Sequence, residues 1–437
     1  MIDTRPKSED VETLARARRW LRGRRGPLVG LTEALGATDD VSIFVGHGEG
    51  WAPAQHPACS GGRVEGTGVG LTRSAALAST VGELVERYAA WRCCRTDGLW
   101  ASYSEVAARA VPLQRFTLYA TAQYKQPGFH FSPPHPKQPL SWAEAWSVIH
   151  QRTTLVPSEF IYMERCRGAG CLVHSVTTGL ACATSPAAAA VSALCEVIER
   201  DGIMIAWLAG LELPRVRPPA GDPIVHDLLG RIVRQGLRVT VLDATTDIAV
   251  PVRIALLRPT EPRSAELAVG MAAHIDPAQA HQKALIEGAH THNWLRRLKR
   301  QRPPLHDPGA ARPRTFEDHV HLWGHDRVAR GFDFWRHGPW RDESSGDAGD
   351  PDPAARLGVI IDRLVRAGFE PLLVDLTPLD LGKIGLHVVR AVVPGLVPLT
   401  VGPPCLGTPR LVEVPAQLGF ATRYTGPDWN PLPHPFP

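Results

Sequence analysis

Two segments that read as buried helices carry the same acidic pattern. Each has two glutamates three positions apart and an arginine directly after the second. The segments are ALASTVGELVERYAA (76–90), with Glu83, Glu86 and Arg87, and AAVSALCEVIERDG (189–202), with Glu196, Glu199 and Arg200. Residues at i, i+3 and i+4 share one face of a helix, so the charges of each segment point in one direction. Because their neighbours are Ala, Val, Leu and Ile, these charges lose hydration and need partners inside the protein.

The carboxylates outnumber the arginines beside them. One copy alone would be explained by a salt bridge between each arginine and the glutamate four residues before it. A weaker third copy, ALIE (284–287), places Glu287 in the position of Glu196, which makes five carboxylates against two arginines. Mg²⁺ takes oxygen ligands and bridges carboxylates to phosphate oxygens, and arginine clamps phosphate. We therefore expect a magnesium-bound nucleotide between helices of repeated units.

The acidic helices belong to an internal repeat, since GTGVGLTRSAALASTVGELVERY (66–88) aligns with GLACATSPAAAAVSALCEVIERD (179–201). Cap residues and apolar spacing predict four helices. They are 8–23 with Ser8 as N-cap, 72–92, 186–209 opened by Ser185 and Pro186, and 277–300 opened by Asp276 and Pro277. Glycine and proline content predicts loops over 46–70, 302–314 and 342–353.

A second repeat indicates the fold class. RIVRQGLRVTVLDAT (231–245) aligns with RLVRAGFEPLLVDLT (363–377), and each reads as a helix, a glycine C-cap and a strand. A further β segment follows each copy, near 251–257 and 386–393. This alternation predicts a mixed α/β (α+β) fold with at least one sheet covered by helices.

Composition narrows the class of protein. The 437 residues carry a net charge of +4, and no apolar run reaches the length of a membrane span. With no signal-peptide core at the N-terminus, we expect a cytoplasmic protein that does not enter a membrane.

The eight cysteines form no C-x-x-C pair, which favours plain thiols over a zinc site, and Cys182 and Cys195 read as small core residues. The twelve tryptophans are scattered and suggest no nucleic-acid partner. The basic run 15–25 fits a solvated helix, or a surface for an acidic partner or leader peptide.

Other motifs in the sequence give weaker indications of function. No G-x-x-x-x-G-K-[ST] loop is present. In HTHNW (290–294), His290 and His292 stand two apart and face different ways on a helix, so we do not expect a shared metal. His290 lies three residues after Glu287 and is a candidate for the same site.

The last residues alternate proline with other side chains. In NPLPHPFP, Pro433, Pro435 and Pro437 flank His434 and Phe436. Proline fixes φ and stiffens such a segment into an extended form. Either the tail is a disordered end, or it is a rod threaded into a pocket that carries His434 and the terminal carboxylate to a fixed place.

These segments together resemble the YcaO family. The resemblance rests on S-x-x-x-E-x-x-E-R from Ser79 to Arg87, TTGLACATS leading into ALCEVIERD (177–201), HIDPAQAHQKALIEGA (274–289), and the LVDLT, VVRAVVPGL and GTPRLVEVPAQLG segments (373–419). The proline tail is similar to that of the azoline-forming branch. The match runs from about residue 60 to 437, in family order.

The resemblance implies a YcaO-like fold of repeated helix–strand units around a nucleotide site. It divides the chain into a lead-in, 1–60, and a catalytic domain, 61–437, that ends in the tail. The implied activity is that of an ATP- and Mg²⁺-dependent cyclodehydratase, which converts Cys, Ser or Thr of a ribosomally made precursor peptide to an azoline by phosphorylating the backbone amide oxygen. A separate ThiF-like or winged-helix protein would bind the leader, because about 60 leading residues are few for a fused domain. A homodimer is the default oligomer.

The resemblance also implies roles for residues. The metal ligands would be Glu83, Glu86, Glu196 and Glu199. The ATP site would add Ser79, Arg87, Arg200, Glu287 and His290. The tail residues Pro433, His434, Pro435 and Pro437 would lie near the reacting amide and help proton transfer or site order.

Three motifs depart from the family pattern. Val69 replaces a frequent lysine, Thr177-Thr178-Gly179 replaces Ser-Asn-Gly, and His290 and His292 replace the Gln and Arg of E-x-x-Q-x-R. Two positive charges near the phosphates are therefore missing. This leaves open a non-catalytic scaffold that docks precursor and enzymes. A thioamide- or amidine-forming YcaO enzyme, or a plain Mg²⁺-dependent ATPase or ligase, also fits, although the tail favours azoline formation.

Overall fold

Three helices, each packed on two of three β-sheets, organise the protein. In the computed structural model, α2 packs on the first and third sheets, α5 on the third and second, and α7 on the second and first. The structure describes residues 8–21, 28–34, 40–52, 62–92, 99–163, 170–261, 266–303, 305, 312–343 and 352–437. The mixed helix–sheet fold expected from the sequence is confirmed.

The helices are α1 (Ser8–Leu21), α2 (Arg73–Arg92), α3 (Tyr103–Val106), α4 (Thr121–Tyr124), α5 (Pro186–Ala209), α6 (Pro223–Arg234), α7 (Pro277–Gln301), α8 (Phe316–Trp323), α9 (Asp326–Ala329), α10 (Pro353–Arg366), α11 (Leu379–Gly382) and α12 (Arg410–Leu418). The strands are β1 (Leu28–Ala34), β2 (Phe44–Ala52), β3 (Gly62–Gly70), β4 (Leu99–Ser102), β5 (Pro139–Ser147), β6 (Arg152–Pro157), β7 (Leu180–Ala183), β8 (Arg215–Val216), β9 (Leu237–Asp243), β10 (Val252–Pro259), β11 (Ala268–Ala273), β12 (Trp340–Arg341), β13 (Leu372–Asp375) and β14 (His387–Val392).

The first sheet has the order β1-β2-β3, the second β11-β10-β9-β8-β12, and the third β4-β5-β13-β14-β7 with β6 on β5. The pairs are antiparallel, except that β8 and β12 run parallel. β2 pairs with β3 along its whole length, so the lead-in and the region after residue 61 share a sheet.

The predicted helices over 8–23, 72–92, 186–209 and 277–300 are confirmed within two residues at each described end. Ser185 and Asp276 accept backbone N–H groups as N-caps, each followed by proline at the first turn. The second repeat is confirmed as α6 leading to β9 and α10 leading to β13, each turning at a glycine with positive φ, Gly236 and Gly368. In the proline-rich stretches 302–314 and 342–353, the described residues belong to no helix or strand, except that Pro353 begins α10. Residues 304, 306–311 and 344–351 lie outside the described residues.

The prediction of a loop over 46–70 is wrong for 46–52 and 62–70, which belong to β2 and β3, whereas residues 53–61 lie outside the described residues. Alternate residues of β3 face α2 so closely that a side chain would not fit. A Cβ on Gly68 would lie 2.1 Å from the backbone nitrogen of Thr80 and 2.3 Å from the carbonyl oxygen of Ala76. Here glycine permits a strand to lie directly on a helix backbone, instead of breaking the strand.

The cysteines follow the expectation in part. Cys195 is buried and Cys182 half-buried, and both are free thiols, as is Cys405. Cys171 is disulfide-bonded, so the expectation that all eight are plain thiols is wrong for this residue. Among the described helices, none combines the length and the apolar character that crossing a bilayer requires.

Candidate active site

Five glutamates meet where the three sheets approach the helices, and each accepts one backbone N–H from a strand or the turn before it. The donors and N–O distances are Thr67 to Glu83 at 2.6 Å, Cys182 to Glu86 at 2.8 Å, Gly179 to Glu196 at 3.1 Å, Ala273 to Glu199 at 3.1 Å, and Met271 to Glu287 at 2.9 Å. One acceptor site per glutamate is thus fixed by the fold.

These bonds show that Glu287, in the third copy of the repeat, makes the same kind of contact as Glu83 and Glu196. In each unit the first glutamate of the helix binds the strand or turn that precedes the same helix, 16 or 17 residues earlier. The second glutamate binds the strand of the next unit: Glu86 of α2 reaches β7, and Glu199 of α5 reaches β11. Strand–helix hairpins therefore place the five carboxylates in a continuous row.

Crowding of like charges in a buried place raises the pKa values of this row. Burial, with the charges of Glu196 and Glu83, raises the pKa of Glu86 to about 8. Burial and the charge of Glu199 raise the pKa of Glu287 to about 8. The pKa of Glu196 rises to about 7 for the same reason, although Arg200 opposes the shift. The row thus lacks enough positive charge of its own to ionise fully near neutral pH.

The salt-bridge explanation accounts for only part of the row. Arg87 pairs with Glu83 at 2.5 Å, and Arg200 lies 3.7 Å from Glu196 and 3.5 Å from Glu199. Within the described part of the chain, Glu86 and Glu287 have no salt bridge. The buried Nε atoms of Arg87 and Arg200 lack a hydrogen-bond partner in the same part of the chain.

Sequence reasoning missed a third arginine. Arg390, on β14, is 4% exposed and donates to the carbonyl oxygens of Phe160 and Val176 at 3.0 and 2.9 Å. Its charge acts on Glu196, and burial lowers its own pKa to about 10. The signal was available, because Arg390 is a lone charge within the apolar strand sequence LHVVRAVV.

A cavity of about 80 Å³ opens beside the row. Arg200 and Arg390 line it, together with Thr178, Val197, the rings of Phe116 and Phe160, which stack at 4.4 Å, and residues 391–398. Gly179, next in sequence to the lining residue Thr178, has φ of 82°, and a Cβ there would lie 2.5 Å from the carbonyl oxygen of Ala391. The cavity combines two guanidinium groups with apolar walls, and one of these groups, Arg200, also pairs with Glu196 and Glu199.

The remaining predicted residues lie in different surroundings. Ser79 is exposed on α2, one turn before Glu83. The ring of His290 stacks on Trp294, and burial, Arg297 and His47 lower its pKa to about 4. His292 is buried near Glu266 and Asp40, with its Nε2 unpartnered within the described residues.

Across the described ranges, no three His, Cys, Asp or Glu side chains converge tightly enough to hold a metal ion alone.

The proline tail is threaded into the protein, which confirms the second of its two interpretations. His434, Pro435 and Phe436 are buried, whereas Pro433 and Pro437 are partly exposed. Burial, the neighbouring His319 and the charge of Arg200 lower the pKa of His434, so the tail lies within electrostatic reach of the row.

A family model described as YcaO cyclodehydratase, ATP- and Mg²⁺-binding, matches residues 67–397. The chain belongs to the YcaO family. The match begins at Thr67, whose N–H binds Glu83, and it includes all five glutamates. The tail lies beyond it.

Individual relatives agree with this membership. An uncharacterized protein from the tfuA 3′ region of Rhizobium leguminosarum bv. trifolii is 25% identical over 270 residues, 59% of this chain and 61% of that protein. A heterocyclase in complex with substrate and cofactor has a TM-score of 0.80 at 20% identity, covering 100% of this chain and 59% of its own. YcaO from Methanopyrus kandleri, bound with AMPPCP and Mg²⁺, has a TM-score of 0.63 at 21% identity, covering 89% and 91%. This chain spans about three fifths of the length of the first two. At these identities the structures show the YcaO fold.

Proposed function

We propose that this YcaO protein is an ATP- and Mg²⁺-dependent cyclodehydratase that forms azolines from Cys, Ser or Thr of a ribosomally made peptide. The observation that carries the proposal is the row of five N–H-anchored glutamates, of which Glu86 and Glu287 lack a salt bridge among the described residues. The pKa values of both residues are raised to about 8. Such a rise is expected of carboxylates in a cation site when no cation is bound, because the charge that would stabilise their ionised form is missing.

Glu83, Glu86, Glu196 and Glu199 would hold Mg²⁺, which supplies charge neutralisation between carboxylates and phosphates. Mg²⁺ in nucleotide sites takes one or two carboxylates and completes its shell with water and phosphate oxygens. A row of single carboxylates fits that need, because each glutamate uses one oxygen for its backbone N–H, and among the described residues the other oxygen of Glu86 has no salt bridge, whereas that of Glu83 pairs with Arg87. The proposal does not require three side chains to converge.

Arg87 and Arg200 would hold phosphate oxygens. Each has a buried Nε–H without a hydrogen bond in the described structure, although the Nε of Arg200 lies 3.5 Å from a carboxylate oxygen of Glu199. A buried donor without a hydrogen bond is costly unless a ligand satisfies it. Arg390 lines the cavity and would place its positive charge next to Glu196. Ser79, Glu287 and His290 would border the nucleotide, with His290 neutral near pH 7.

The cavity beside Arg200 would receive the reacting peptide amide. In the reaction, the thiol or hydroxyl of the precursor would lose its proton and attack the preceding carbonyl carbon, and the former carbonyl oxygen would take the γ-phosphoryl group of ATP, releasing ADP. Phosphate would then leave with that oxygen, while the amide nitrogen loses its proton and forms the C=N bond of the azoline. Amide oxygen is a poor leaving group and phosphate a good one, so the protein contributes positioning and charge stabilisation. Pro433, His434, Pro435 and Pro437 would order this side of the site or assist proton transfer.

Mass spectrometry of a co-expressed precursor tests the proposal. Each azoline lowers the peptide mass by about 18 Da, one water, whereas a thioamide raises it by about 16 Da. Glu199→Gln is the matched control, because glutamine still accepts the N–H of Ala273 but carries no charge. A mass gain would show that the protein forms thioamides, and the proposal of azoline formation would then be wrong.

A second candidate is a non-catalytic scaffold. It is favoured by His290 and His292, which stand where the family pattern has a glutamine and an arginine. Burial lowers the pKa of both histidines, so neither supplies the positive charge of the arginine near pH 7. ATP hydrolysis that depends on the precursor separates the two, since a scaffold would show none.

The partners follow from the family resemblance. We propose that a separate ThiF-like or winged-helix protein binds the leader peptide, that the enzyme is a cytoplasmic homodimer, and that it has no nucleic-acid or membrane partner. Co-purification with the products of neighbouring genes and light scattering of the complex test the first two statements.

A further inference from the structure

Three consecutive carbonyl oxygens of the tail each lie within hydrogen-bond distance of a nitrogen of an aromatic ring. Trp207 on α5 donates to Leu432 with an N–O distance of 3.1 Å, and Trp323 on α8 donates to Pro433 at 3.2 Å. His319, one turn before Trp323, has its Nδ1 2.7 Å from the carbonyl oxygen of His434. One ring is thus assigned to each of three successive peptide groups.

The sequence of the tail explains why ring donors are needed. Proline has no N–H, so an alternating segment offers carbonyl oxygens and few donors. The N–H groups of Leu432 and Phe436 bind inside the tail, to the side chains of Asn430 and His434 at 3.1 and 3.3 Å. The tail therefore presents acceptors outward, and its binding site presents donors. Indole N–H groups are donors only, which matches this requirement.

Side chains of the tail also have specific places. The His434 ring lies flat on His319 at 3.9 Å, and its Nε2 is 2.8 Å from the carbonyl oxygen of Thr400. Phe436 is fully buried between the rings of Trp207 and Trp335, at centroid distances of 6.4 and 6.2 Å. A proline-alternating peptide with histidine and phenylalanine at these spacings would be distinguished from other extended peptides.

We propose that Trp207, Trp323 and His319 form a recognition site for an extended proline-alternating peptide, and that this site binds residues 431–437 as it would bind a ligand. The proposal concerns binding alone and does not depend on the azoline chemistry. It predicts that the same peptide binds in trans once the natural tail is detached. Recognition of polyproline segments by aromatic-lined grooves gives it a physical precedent.

The experiment detaches the tail after folding. A protease site is inserted between Pro427 and Asp428, both exposed, and the purified protein is cut, so folding occurs with the tail present. A labelled NPLPHPFP peptide is then titrated onto the cut protein after its tail fragment has been washed away. We expect a dissociation constant below about 100 µM. The peptide NALAHAFA is expected to bind at least about tenfold more weakly, because it loses the stiffness that proline supplies.

Variants identify the donors. Trp323→Phe keeps the ring and removes the N–H, and it should weaken peptide binding about fivefold, as the loss of one hydrogen bond does. Trp142→Phe is the matched control, because its indole donates to Ala101, away from the tail. If the cut protein stays folded by circular dichroism but binds no peptide up to about 1 mM, or if both variants weaken binding equally, the proposal is wrong.

Discussion

The carboxylate of Glu86 on α2 accepts the backbone N–H of Cys182 in β7 at 2.8 Å, across 96 residues of sequence. This bond joins the first strand–helix unit to the second, as Glu199 and Ala273 join the second to the third. In the third unit His290 takes the position that a glutamate has in the others, three residues after Glu287. Residues that we assign to the nucleotide site are therefore also the contacts between repeated units, which couples the stability of the fold to the chemistry of the site.

Glu86 should make the protein less stable as the pH rises. Its folded-state pKa is about 8 against an ordinary 4.5, so between these values the native state holds a proton that the unfolded chain has lost. The free energy of unfolding should fall from about pH 5 to about pH 8 and then level off. Glu86→Gln keeps an acceptor for Cys182 and should make this decline shallower. Urea denaturation at several pH values measures it, with exposed Glu413→Gln as the control; an unchanged slope in Glu86→Gln would contradict the assignment.

Binding of Mg²⁺ and ATP should release protons. Near pH 7 the pKa values of about 8 for Glu86 and Glu287 and about 7 for Glu196 leave part of the row protonated. A bound cation favours the ionised form, so we expect about one proton to leave per nucleotide bound. Calorimetry in two buffers of different ionisation enthalpy measures this number. Glu287→Gln should reduce it, and a value of zero in the unaltered protein would count against a cation at this row.

Loss of the Glu199 charge should affect catalysis more than folding. Glu199→Gln retains an acceptor for Ala273, so the melting temperature should change little. Precursor-dependent ATP hydrolysis should fall by about 10²–10³-fold, the usual effect of removing one electrostatic contact to a transition state. Steady-state kinetics with circular dichroism tests this expectation. Equal activity of the variant and the unaltered enzyme would exclude Glu199 from the site.

Arg410 should be essential for stability. It pairs with Asp201 at 2.5 Å and Asp247 at 2.8 Å, and Asp201, fully buried, also accepts the N–H of Val397 in the cavity wall. Arg410→Ala leaves a buried carboxylate unpaired and should cost about 3–5 kcal/mol. Arg217→Ala removes an exposed pair with Asp342 and should cost less than about 1 kcal/mol. Urea denaturation measures the free energy of unfolding of both variants. Equal losses of this free energy would refute the argument that the buried pair is the more important one.

Gly68 should be intolerant of a methyl group, whereas Gly82 should accept one. A Cβ at Gly68 meets the α2 backbone at 2.1 Å, but a Cβ at Gly82, within α2, meets nothing within 4 Å. Gly68→Ala should destabilise the protein by at least about 1–3 kcal/mol, and Gly82→Ala should stabilise it by about 0.5–1 kcal/mol. Thermal unfolding compares them; a tolerated Gly68→Ala would mean that β3 can move away from α2.

The sequence determined the helices and the repeats, because caps, apolar spacing and the recurrence of Glu-x-x-Glu-Arg are local patterns. Ser185, Asp276 and both helix–glycine–strand copies lie where those patterns predict them. The family resemblance rested on the same residues. Tertiary structure decided the role of Gly66, Gly68 and Gly70 in β3, since local composition indicates a flexible loop and only contact with the backbone of α2 shows why side chains are absent.

Tertiary structure also decided the electrostatics of the site. Counting glutamates and arginines along the chain could not show that Arg390 of β14 lies next to Glu196, or that each glutamate takes its N–H from a strand or turn outside its own helix. Charge interactions depend on distance through space and on burial, and neither is a property of sequence spacing beyond one helix. The tail shows the same division: its prolines fixed an extended shape, while rings from α5 and α8 fixed where it lies.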